Sequence, residues 1–264
     1  MSSVLYLFLA HLGVGIAFTL LLVSKEAGVK FFRFNAGVAA LLIAVALAFR
    51  PRAGSIGASL VNPASLIALG VALAALTIYW IIAGRVLAKL RPVLAVIATV
   101  AGASAAVMHG VGAAGVSGTT LTALSALTSV GLLGGTCTAM VLGHWYLVIP
   151  SMEAKHLQRA VGLHIVTLVL RVAVVAVVLV LAMHEPLASG RTVGRYITSI
   201  DGIFFWQRML FGLACPAVLS VLTWETAKIR STQSATGILY VDFFTVVVGE
   251  VLANYVLLST GLAV

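Results

Sequence analysis

Apolar residues run along this chain in stretches of about 20, broken by short polar clusters, and they do not alternate with polar ones. Each stretch is long enough to cross a hydrocarbon layer about 30 Å thick as a helix. A transmembrane barrel would need alternation instead. The pattern predicts eight spans, at roughly 4–24, 33–50, 61–84, 92–114, 120–149, 159–182, 202–224 and 236–259. The fifth stretch is the longest and its ends are the hardest to place, since a tilted helix can absorb extra residues. The longest connection, around 183–201, is too short to fold alone. The expected fold class is therefore all-α, a polytopic membrane helical bundle, with residues 1–264 forming a single integral membrane domain.

Composition agrees with the pattern. Of 264 residues 62% are hydrophobic and 9% charged, against about 25% charged in soluble domains. The balance of 16 Lys+Arg against 7 Asp+Glu is read as topology signal, so no nucleic-acid partner is expected. Connections 1–2, 3–4, 5–6 and 7–8 hold Lys25, Lys30, Arg33, Arg85, Lys89, Arg91, Lys155, Arg159, Lys228 and Arg230. The opposite side holds Arg50, Arg52, Arg191 and Arg195. The positive-inside rule then places both termini on the non-cytoplasmic side. Cys137 and Cys215 lie inside apolar runs, which argues against a disulfide framework. No basic residue precedes the first run, so a cleaved signal peptide is not expected. The expected location is a bacterial inner (cytoplasmic) membrane.

Ionisable groups within spans are costly and are candidate functional residues. His11 and His109 lie roughly 5 and 9 Å outward of the midplane, and His144 and His164 roughly 10 to 13 Å inward. An outer and an inner pair of imidazoles is similar in general plan, though not in ligand spacing, to membrane b-type cytochromes, in which two histidines ligate one haem iron from opposite faces. A bland alternative stands beside this plan, because an intramembrane histidine often only hydrogen-bonds the next helix. The small residues Ala101–Ser104, Gly131, Gly134 and Gly135 suit a macrocycle's close approach, and they equally suit close helix packing.

Arg171 lies near the middle of span 6, seven residues after His164 and on nearly the same face. Span 8 carries Asp242, Glu250 and Asn254, with Glu250 within roughly 3 Å of the midplane. An Arg171–Glu250 ion pair is expected, either as a structural tie, as a propionate clamp at Arg171, or as part of a proton relay through Glu250 and Asp242. Asp201, Gln207 and Arg208 sit beside Trp206 at the outer end of span 7. Gln207 and Arg208 could supply donors to a quinone, or the cluster could anchor the span at the interface. Hydrolase elbows, zinc helices and phosphate loops are absent from the sequence.

Three functions follow as expectations. The first is a membrane-integral electron-transfer subunit of a respiratory complex, with one or two haem b groups at His11/His109 and His144/His164, quinone as exchange partner, and other redox subunits beside it. As an enzyme it would act only as a subunit of a membrane oxidoreductase. The second is a proton-coupled secondary transporter using Arg171, Glu250 and Asp242. The third is a cofactor-free anchor or scaffold, and a homo-oligomer is compatible with each.

Overall fold

In the computed structural model, which describes residues 2–85, 87–148, 153–187 and 190–264, the chain is a helical bundle with no strand among those residues. The helices are α1 (Ser2–Thr19), α2 (Gly28–Ala48), α3 (Pro63–Ile82), α4 (Arg91–Gly112), α5 (Gly118–Val148), α6 (Lys155–Ala182), α7 (Val193–Ile197), α8 (Ile203–Met209), α9 (Cys215–Lys228) and α10 (Thr232–Thr260). A π-helical turn, Leu210–Ala214, joins α8 to α9. Counting the segment Ile200–Lys228 as one rod, eight helices among the described residues are long and apolar enough to cross a membrane.

Several ends are written in the local sequence. Asn62 accepts from the Ser65 amide while the Ser65 hydroxyl meets the Asn62 amide, and Pro63 opens α3 where no N–H is needed. Gly261 ends α10 in the left-handed region, at φ 76°. The first span stops earlier than the apolar run suggests. Helix α1 ends at Thr19, whose hydroxyl bonds Thr138 on α5, and residues 20–24 turn into a short 3-10 segment at Lys25–Ala27. The fifth run, by contrast, is a single helix of 31 residues.

Helices α1 and α5 occupy the middle of the bundle, each 78% buried over its apolar window, against 33% for α6. Such burial requires small residues at the crossings. At Gly15 of α1 and Gly134 of α5 the two backbones touch, so an added Cβ on either would collide with the other chain segment. Gly102 of α4 meets the Val14 side chain, and Gly110 meets the backbone of Ala123. The small-residue patches of α4 and α5 are therefore helix crossings. Outward faces are apolar: Val166 and Val169 on α6 are 55% and 60% exposed. Water would penalise such a surface and lipid does not, as expected of an integral membrane protein.

The bend between α8 and α9 also has a local cause. Pro216 has no amide hydrogen, and its ring crowds the carbonyl four residues back. The helix widens just before it, the Cys215 amide bonding the Leu210 carbonyl. Gly212, within this turn, lies against Gly249 of α10, where neither residue could carry a side chain.

Candidate functional site

Four buried ionisable residues, His164, Arg171, Asp242 and Glu250, line up along one seam where α6 and α10 meet α5. On α6, His164 and Arg171 are seven residues apart; on α10, Asp242 and Glu250 are eight apart. Both spacings are close to two turns, so each pair shares a face. The seam therefore has two levels, and each helix contributes to both.

At the level nearer the middle, Arg171 and Glu250 form the expected pair, with Nε donating to Oε1 at 3.1 Å and Nη2 to Oε2 at 3.2 Å. This is the two-pronged geometry that favours arginine with a carboxylate. The remaining Arg171 donors reach the Ser125 hydroxyl, the Ser125 carbonyl at 2.9 Å and the Val264 carbonyl at 3.1 Å. Arg208 joins from α8, its Nη2 donating to Glu250 Oε1 at 2.9 Å. Two guanidinia thus share one carboxylate, and all three residues are buried.

Arg208 corrects the sequence expectation. It does not anchor the span at the interface, because its side chain is buried and folds back over Gly212 into the core. Gln207 is only half-buried on the neighbouring position, so the two are not brought together. Trp206 is exposed and donates to the Ile197 carbonyl at 3.0 Å, and Asp201 pairs with Arg191 on the surface. The polar cluster read at that end divides between surface and core.

At the second level, His164 Nε2 lies 2.8 Å from Asp242 Oδ2, both side chains fully buried. Thr136 of α5 meets His164 Nδ1 at 2.9 Å and also donates to the Leu132 carbonyl. The imidazole–carboxylate approach is out of line for a hydrogen bond. Both Asp242 oxygens consequently lack a directed donor among the described residues. A dehydrated carboxylate without directed donors is costly when ionised. The Asp242–His164 pairing is absent from the sequence expectations, which connect Asp242 with Glu250.

His144 is not a partner of His164. It is exposed and meets the Tyr240 hydroxyl at 2.9 Å, whereas His164 sits level with Gly135 and Thr136. Eight residues separate Thr136 from His144, about 12 Å along α5. The expected equal depth fails because α5 extends well past the core on that side, so counting from the apolar run misplaces its middle. An inner haem between these two histidines has no support in this arrangement.

His11 and His109 do converge. Their rings face one another with centroids 5.9 Å apart and planes 28° apart. The Tyr6 hydroxyl lies 2.9 Å from His109 Nε2. The other ring nitrogen of His109, both of His11, and the Asn254 amide nitrogen have no partner among the described residues. All three of these residues border one cavity of about 20 Å³, room for one or two waters, which Arg171 also lines.

The facing imidazoles suit axial ligation, but the packing around them does not fit a haem. A macrocycle needs a broad slot, and here α1 and α4 are in contact, with an added Cβ on Gly102 meeting Val14 at 2.5 Å. Among the described residues no cluster of three or more His, Cys, Asp or Glu forms a metal site. Cys137 is buried, as a small apolar residue would be. No family model matches this chain and no curated protein is similar to it, so its chemistry rests on this geometry.

Proposed function

We propose that this chain handles protons within a bacterial cytoplasmic membrane and works as a proton-coupled secondary transporter. The observation that carries the reading is the buried His164–Asp242 pair, 2.8 Å apart with no directed hydrogen bond to either carboxylate oxygen. Buried ion pairs seldom stabilise a fold beyond what apolar residues of similar size would. Intramembrane acid–histidine pairs are recurrent elements of proton relays. A proton taken up at this site neutralises Asp242 or is held by the imidazole, and its release restores the charge. The Arg171–Glu250–Arg208 triad, two turns away, supplies fixed charge against which that change is felt.

A pH jump applied to proteoliposomes on a solid-supported electrode tests this without knowledge of the substrate. Proton binding at a buried site displaces charge and should give a transient current. Asp242→Asn and His164→Gln should abolish it, while His144→Gln should leave it intact. A wild-type protein that gives no more current than empty liposomes contradicts the proposal.

A second reading, electron transfer beside other redox subunits, is favoured by the facing rings of His11 and His109 alone. It requires α1 and α4 to part. A reduced-minus-oxidised absorbance spectrum of the purified protein decides it, since a b-type band lost in His11→Ala is its signature.

A further inference from the structure

A crevice of about 340 Å³ opens between α5, α6 and the non-helical residues that follow α1. It exists because α1 stops at Thr19 while α5 and α6 continue, leaving space beneath the Thr19–Thr138 hydrogen bond. His156 and Arg159 line one end and Gly135 and Thr138 the other. On α5, Gly135 is seven residues above Leu142, which also lines the crevice, so it extends about 10 Å along the helix. Gly135 immediately precedes Thr136, whose hydroxyl meets His164.

His156 is a buried polar group that the first site leaves unused. Its Nε2 pairs with Glu26 Oε2 at 2.6 Å, and its Nδ1, 95% buried with the rest of the residue, has no partner among the described residues. Glu26 itself is exposed. The pair thus has one group in water and the other at the crevice wall. Other charged or titratable groups around it are Tyr146 from α5, Glu153, Lys155 and Arg159. Around His164 stand Asp242 on α10, Thr136 on α5 and, two turns along, Arg171.

We propose that this crevice is the water-filled path by which protons reach the His164–Asp242 pair from the basic face, with Glu26 and His156 exchanging them at its mouth. The inference rests on the proton reading of that pair. A proton captured by the carboxylate or imidazole at the mouth passes to crevice water, and each water gives up one proton as it accepts another. At the inner end, beside Gly135, the last water gives a proton to the His164–Asp242 pair and takes one from the water behind it, so no net charge is left along the chain. Thr136, donating to the Leu132 carbonyl, holds the imidazole by accepting from His164 Nδ1.

Two measurements test it. In a background with Cys137→Ala and Cys215→Ala, Ala160→Cys places a thiol in the crevice and Val166→Cys places one on the lipid-facing side. A charged, water-soluble methanethiosulfonate should modify the crevice thiol at least about tenfold faster, because only a hydrated thiol keeps its thiolate fraction. Reaction solely with a lipid-soluble reagent, or none with either, overturns the proposal. In the pH-jump current, Glu26→Gln with His156→Gln should slow the rise about tenfold or more and leave the total charge moved unchanged. An unchanged rise overturns the route while keeping the proton site. A wild-type protein with no transient rejects the proton site itself, so the two failures are distinguishable.

Discussion

Glu250 answers two buried guanidinia, which makes it the side chain whose loss should be felt most. Glu250→Gln keeps its volume and removes the charge, and should destabilise the protein by about 3–5 kcal/mol, read as thermal unfolding in mild detergent. His144→Ala, at an exposed position with a single hydrogen bond to Tyr240, should cost no more than about 1 kcal/mol in the same assay. Equal effects of the two would contradict the assignment of core and surface. The Arg171–Glu250 pair was legible in the sequence because both residues fall near the centre of long apolar runs, where a charge must find a partner. Arg208 was not, because a long side chain near a span's end can turn toward water or into the core. What turns it inward is the room left at Gly212, where an added Cβ would collide with the Arg208 guanidinium. His156 carried no signal at all, since its partner Glu26 is 130 residues away.

Helices expose a different mixture of the readable and the hidden. That eight apolar rods exist follows from run length, and the caps of α3 and α10 follow from Asn62, Pro63 and Gly261. Depth along a rod does not follow, as the 31-residue α5 demonstrates. There the apolar run outlasts the core, so counting along it puts His144 at the level of His164 although the two lie about 12 Å apart along the helix. Which small residues mark crossings is likewise invisible until the partner helix is known. Gly15 and Gly134 bring α1 and α5 into backbone contact. Gly134→Val should therefore destabilise by about 1–3 kcal/mol or more through overpacking. Gly70 has nothing near the site of an added Cβ, so Gly70→Ala on α3 should be neutral or slightly stabilising. The same unfolding assay compares them, and a neutral Gly134→Val would refute the close crossing.

At the scale of the whole molecule, the seam crosses three helices, and the crevice beneath α1 runs from His156 and Arg159 to Gly135, next to the Thr136 that meets His164. That arrangement gives the polar interior a side. Reporter fusions at the connection around 228–231 and at that around 183–201 should place the first in the cytoplasm and the second outside, as the ten-to-four distribution of basic residues requires. The opposite assignment would reverse the direction from which protons arrive. The central claim is that Asp242 and His164 exchange a proton inside the membrane, and infrared difference spectroscopy of the protein in lipid nanodiscs addresses it most directly. On acidification the wild type should show a protonated-carboxyl band that changes with pH and is missing in Asp242→Asn. A spectrum without that band, or with a band that Asp242→Asn leaves in place, would contradict the account.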